Sequence, residues 1–334
     1  MTVTRYPNPL ILQRADPFIT HPINGYYYFI ASVPEYDRLE LRAATSLEGL
    51  ADAEPVVVWR KPESGPMSAL IWAPEIHHIE GKWYIYFAAA PDITVIDTLF
   101  QHRMFALECA DADPLHGKWV ERGRIESHLD TFSLDATSFE HQGRRYYAWA
   151  QKDPATRGNS NIYLCEMEDA LTLKGTPVML TQPEFDWETR GFWVNEGPAM
   201  VVHGKRIFMT YSASATDANY CMGLLWADID SDLLDAASWH KSPEPVFSTS
   251  DRNRQYGPGH NSFTTNAEGG DVLVYHARNY REIEGDPLYD HNRHTRILDL
   301  RWDEKGMPVF GEPPAENRDI SSTFQTDAPG TVAG

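Results

Sequence analysis

Apolar and aromatic residues in this chain fall into short, strand-length runs set off by glycine turns, and no stretch keeps the three-and-four spacing of a long amphipathic helix. Five such runs stand out: Gly25-Tyr26-Tyr27-Tyr28-Phe29, Gly81-Lys82-Trp83-Tyr84-Ile85-Tyr86-Phe87, Gly143-Arg144-Arg145-Tyr146-Tyr147-Ala148-Trp149, Gly204-Lys205-Arg206-Ile207-Phe208-Met209-Thr210-Tyr211 and Gly270-Asp271-Val272-Leu273-Val274-Tyr275. Aromatic and β-branched runs behind a glycine read as second strands of hairpins. Ahead of each run lies a polar signature centred on Asp16, Glu75, Asp135, Glu196 or His260, at steps of 59, 60, 61 and 64 residues. A third strand is expected in each unit, over Leu39–Ala44, Met104–Ala110, Ile162–Met167, Met222–Ala227 and Thr295–Trp302. A polar turn ending in Trp119 or Trp239 then opens a fourth, outer strand. This period predicts an all-β, five-bladed β-propeller with four-stranded antiparallel blades around a central channel. Each blade buries its apolar faces against its neighbours.

The 334 residues need not mean two domains, because all-β single domains of this length are ordinary. A single propeller over residues 1–315 and a polar tail over 316–334 are expected. Lys+Arg 29 against Asp+Glu 48 gives a net charge of −19, which repels polyanions. Nucleic acid and anionic membranes are therefore unsuited as partners, and a neutral substrate is favoured. The three cysteines, Cys109, Cys165 and Cys221, fall on or near third strands and form no CxxC or Cys/His cluster, so they are read as reduced packing residues. The N-terminus shows no basic region followed by a long apolar stretch, and a cytoplasmic protein is expected.

In a propeller the first strand of each blade lines the channel, so Asp16, Asp135 and Glu196, distant in sequence, are expected to meet at one mouth. Neighbouring carboxylates disfavour each other's ionisation, which leaves at least one protonated near neutral pH. An acid and a base at one site are what glycosidic bond cleavage requires. Turn chemistry alone accounts less well for three registered acids, since a turn accepts Asn, Ser or Gly equally.

Arg14-Ala15-Asp16-Pro17, Trp72-Ala73-Pro74-Glu75, Ser133-Leu134-Asp135-Ala136 and Asn195-Glu196-Gly197-Pro198 together resemble glycoside hydrolase family 43, over about residues 8 to 305. That family consists of five-bladed propellers that cleave arabinofuranosyl or xylosyl linkages with inversion. The resemblance implies Asp16 as general base, Glu196 as general acid and Asp135 as the residue that tunes and orients the acid. It implies that Trp72 walls the innermost sugar subsite, and Arg296 is the best match to the arginine that supports the sugar there. Arg14 is a weaker match and is read as structural, as is Glu75, expected to hold strand ends near the channel. Trp193 and Phe192, just before the acid, are candidates to line the pocket. His260 resembles the histidine beneath the active site of many members and is the candidate contact to a calcium or sodium ion in the channel; no cofactor is otherwise required.

The retaining invertase and levansucrase propellers need Asn-Asp-Pro-Asn, Arg-Asp-Pro and Glu-Cys segments, which this chain replaces with Ala-Asp-Pro-Phe, Leu-Asp-Ala-Thr and Asn-Glu-Gly-Pro. A catalytically inactive sugar-binding propeller would repeat one site in every blade, whereas these centres differ. The function expected is an inverting, exo-acting α-L-arabinofuranosidase acting on arabino-oligosaccharides or arabinosyl side chains. β-Xylosidase and endo- or exo-arabinanase activities on the same framework remain open, as does the oligomeric state.

Overall fold

The computed structural model describes residues 4–318, and within them the chain forms five consecutive antiparallel sheets arranged as blades. The first blade runs Ala15–Ile19, Tyr27–Ser32, Arg38–Ala44 and Val56–Arg60; the second, Ala69–Ile79, Lys82–Ala90, Arg103–Cys109 and Trp119–Arg124. The third runs Ser133–His141, Arg144–Gln151, Asn161–Asp169 and Thr172–Thr181; the fourth, Asn195–His203, Arg206–Ala213, Cys221–Asp228 and a short His240–Lys241. The fifth contributes Tyr256–Thr265, Asp271–Arg278 and His294–Asp299. The all-β expectation therefore holds, and helix is limited among the described residues to four single 3-10 turns. None is long and apolar enough to cross a membrane.

Local chemistry explains the hairpins. Asn24-Gly25, Glu80-Gly81 and Gln142-Gly143 place two successive residues at positive φ, the two-residue turn whose twist matches that of the strands it joins. The second strands are buried on both faces because each lies between blades, as in Lys82–Ala90, where only Lys82 is exposed. Leu39, Leu41 and Ile30 of the first blade pack on Ile76, Ile85 and Phe87 of the second. Phe208 and Leu224 of the fourth likewise meet Leu273 and Tyr275 of the fifth. Each such side chain contributes about 1.5–3 kcal/mol when taken from water.

The fifth blade differs from expectation in its third strand and also closes the ring. Its third strand pairs with the second only as far as Asp299, and Arg301–Trp302 leaves to form a separate hairpin with Pro308–Val309. Its fourth position is taken by the N-terminal segment: Ile11 bridges Thr295, with Leu10 N–H and Thr295 N–H donating across at 2.9 Å each. The first and last blades are thereby latched. At the other end, Asn317 Oδ1 accepts the N–H of Asn8, so the start of the expected tail packs on the latch; residues 319–334 lie outside the described residues.

Candidate active site

Each inner strand breaks its ladder at one equivalent place, between Ala15 and Phe18, Trp72 and Glu75, Leu134 and Thr137, Glu196 and Ala199, or Gly259 and Ser262, and the second and fifth blades carry a further break just before it. Two residues then oppose one, forming a β-bulge that bends the strand and re-aims its side chains. The first bulge residue has positive φ in every blade: Asp16 (55°), Ala73 (44°), Asp135 (57°), Gly197 (56°) and His260 (42°). This conformation costs a residue with a Cβ about 1–2 kcal/mol and persists only where neighbours hold it. Here the neighbouring blades do. Ser32 Oγ accepts the N–H of Ala73 (2.8 Å), Asp135 Oδ2 that of Gly197 (3.1 Å), Ser212 Oγ that of His260 (2.7 Å) and His276 Nδ1 that of Asp16 (3.0 Å).

The bulges correct the register expected from counting. In the second blade the bulge begins at Ala73, two residues before Glu75, and in the fourth at Gly197, one after Glu196. Glu75 consequently lies further along the channel, lining a separate cavity of about 440 Å³ toward the far ends of the inner strands, where its Oε2 pairs with His77 Nε2 at 3.0 Å. Asp16, Asp135, Glu196 and His260 line a different pocket of about 290 Å³ together with Trp72, Phe100, Phe192, Leu288 and Arg293.

Within that pocket the carboxyls are not equivalent. Asp16 is buried, which opposes its charge, yet the Arg293 guanidinium (Nη1 to Oδ1, 3.3 Å) and His260 hold it well below the usual carboxylate range. Its Oδ2 also accepts a 2.6 Å hydrogen bond from Ser32 Oγ. Asp135 is driven the other way by burial and by the charges of Glu196 and Asp16. Glu196 is pushed up to about 7, first by burial and then by Asp16, against the hydrogen bond it accepts from Tyr220 Oη at 2.7 Å. His260, its own pKa lowered by burial, stands 3.4 Å from Asp16 Oδ1 and 3.7 Å from Asp135 Oδ2. One ionised carboxylate therefore faces a pair of carboxyls that retain a proton near neutrality, which is a base and an acid in one pocket.

The remaining candidates are sorted by position. Trp72 walls the pocket, its ring stacked on buried His102 at 3.9 Å between centroids and met edge-on by Phe100. Arg296 is not in the pocket: it is wholly buried, donating to Asn8 Oδ1 (2.8 Å) and Glu316 Oε1 (2.7 Å), and Arg293 occupies the place expected for it. Trp193 turns away under the Arg157 guanidinium, 5.1 Å from its centroid, and Phe192 and Val194 line the pocket instead. Arg14 is paired with Glu40. Among the described residues no group of three or more His, Cys, Asp or Glu side chains is placed to hold a metal, and His260 has no such set around it. Arg293, Tyr220, Ser32 and His276 were not singled out from the sequence.

The propeller axis thus sets an ionised carboxylate against protonated ones in one pocket, the pairing that acid–base chemistry requires. The chain belongs to the glycosyl hydrolases family 43, which it matches over residues 6–308. It is 53% identical to the extracellular exo-alpha-(1->5)-L-arabinofuranosidase of Streptomyces avermitilis, over 93% of this chain and 64% of that protein. It is 50% identical to the protein of the same name from Streptomyces chartreusis, over 84% of this chain and 85% of that one. The crystal structure of an alpha-L-arabinofuranosidase from Lactobacillus brevis superposes with a TM-score of 0.93 at 56% identity, covering 94% of this chain and 98% of that one. This chain thus spans less than two thirds of the Streptomyces avermitilis relative. The names overturn the cytoplasmic expectation, since both Streptomyces relatives are extracellular. Cys109, Cys165 and Cys221 are buried and unpaired, and thiols sealed in a core report packing and not compartment.

Proposed function

We propose that the protein is an inverting, exo-acting α-L-arabinofuranosidase that releases L-arabinofuranose from arabino-oligosaccharides or arabinosyl side chains. The observation that carries this reading is the opposite electrostatic treatment of Asp16 and Glu196 within one pocket, and the names of the relatives supply the sugar. Asp16 takes a proton from a water whose oxygen attacks the anomeric carbon. The bond from that carbon to the leaving oxygen breaks as Glu196 gives that oxygen its proton. Asp135, itself driven toward its protonated form by burial and by Glu196, shares the proton of the acid side with Glu196 and fixes the bulge through the Gly197 N–H. Water and two carboxyls balance the reaction.

Exo action is supported by the size of the pocket, about 290 Å³, walled by Trp72, Phe100 and Leu288. Such walls suit the apolar face of one furanose ring and leave the rest of the chain at the mouth. The test is a panel of aryl arabinofuranosides, aryl xylosides and linear or branched arabino-oligosaccharides, with the first-formed anomer read by proton NMR. Release of arabinose of inverted configuration from chain ends is expected. A retained anomer, a preference for xylosides or internal cleavage would each overturn the corresponding part of the reading.

A further inference from the structure

Tyr220 lies outside every sequence motif, yet it is buried to 1% exposure and touches both halves of the reaction. Its hydroxyl donates to Glu196 Oε1 at 2.7 Å. Its ring lies nearly flat on the imidazole of His276, 5.6 Å between centroids and 11° between planes. His276 in turn accepts the backbone N–H of Asp16 through Nδ1 at 3.0 Å. The stack depends on a glycine: a Cβ on Gly259 would sit 2.5 Å from Tyr220 Cε1, so only glycine admits the ring there. We propose that Tyr220 is a positioning residue that seats the general acid and, through its stack on His276, fixes the acid in register with the general base.

The hydrogen-bond inventory makes the seating specific. A Tyr hydroxyl occupying Oε1 leaves Oε2 as the oxygen that carries the proton, and so presents that proton to the leaving group. The titratable and charged groups that share the pocket with Glu196 are Asp16 from the first blade, Asp135 from the third, and His260 and Arg293 from the fifth, and Tyr220 is the neutral donor among them. Because the hydroxyl favours the ionised form of Glu196, removing it raises the pKa of the acid.

This inference rests on the proposed assignment of Glu196 as acid, and the experiment separates the two. Tyr220→Phe keeps the ring and its stack and removes only the hydroxyl. With 1,5-linked arabinobiose, kcat/KM of this variant is expected to fall about 10- to 100-fold, the loss of one hydrogen bond to a charged group. With a dinitrophenyl arabinofuranoside, whose leaving group needs no proton, it is expected to fall less than about threefold. The alkaline limb of the pH profile is expected to move upward. A carbon-13 NMR titration of the Glu196 carboxyl reads the same upward shift without turnover. Equal losses on both substrates, or an unmoved Glu196 titration, overturn the role of Tyr220. If the titration moves but Glu196→Gln keeps full activity on arabinobiose, Tyr220 stands as the seat of Glu196 and the assignment of Glu196 as acid fails.

Discussion

Arg293 and Arg296 stand three positions apart and serve different parts of the molecule: Arg293 lies just before the strand His294–Asp299, whereas Arg296 lies within it, where side chains alternate between faces. Arg293 Nη1 reaches Asp16, whereas Arg296 reaches Asn8 and Glu316. A late arginine was legible in the sequence; which of the two faced the channel was not, since that depends on where the strand enters the sheet. The two separate by measurement. Arg293→Met is expected to cut kcat/KM by at least about 100-fold, the scale of losing a preorganised charge. Because Arg293 depresses the pKa of Asp16, the acid limb of the profile should also move toward neutrality. Arg296→Met is expected to leave kcat/KM of the folded enzyme within about threefold while lowering unfolding stability by about 3–5 kcal/mol, the cost of breaking a buried ion pair. In the unsubstituted enzyme the alkaline limb belongs to the Asp135 and Glu196 pair as a unit. Activity should fall as pH rises through about 7, where Glu196 loses its proton. Glu196→Ala assayed on a dinitrophenyl arabinofuranoside should lack that limb.

The inner strand, more than any single acid, is the element that makes the site. Its period was readable because aromatic second strands and glycine turns recur, and the fold followed from that. The register was not, because counting acids treats Asp16, Glu75 and Glu196 as equivalents, while the structure counts left-handed bulge residues, and Asp, Ala, Gly and His each fill that place. A signal was present: the second bulge residue is Pro17, Pro74 and Pro198 in three blades, where a residue without an N–H suits a broken ladder. Gly197 tests the element. A Cβ there would lie 3.3 Å from His260 Cγ on a backbone with φ of 56°. Gly197→Ala is expected to cost about 1–2 kcal/mol of stability and, by displacing Glu196 next to it, to lower kcat more than KM. Steady-state kinetics beside a thermal melt checks both, and a variant with unchanged kcat would show that the bulge tolerates a side chain.

At the scale of the whole ring, closure and catalysis share one segment. Tyr6, Leu10 and Ile11 are buried against Ile19, Val272, Val274 and Ile297, where the first and fifth blades meet. The latch continues into the site: Gln13 N–H donates to His294 Nδ1, Thr295 Oγ1 donates to the Arg14 carbonyl, and Asp16 lies two residues past Arg14 while Arg293 adjoins His294. Asp16, the proposed general base, and Arg293 therefore hang from the two strands that the latch joins, and slack in the latch is felt first by them. Leu10→Ala removes a fully buried side chain at this seam and is expected to cost about 2–5 kcal/mol. In a urea titration its activity should decline at lower denaturant than its tryptophan fluorescence, because opening between the first and fifth blades separates Arg293 from Asp16 while the other interblade cores remain packed. Coincident loss of activity and fluorescence would mean instead that the ring opens only as one cooperative unit, with the latch no weaker than the seams between the other blades.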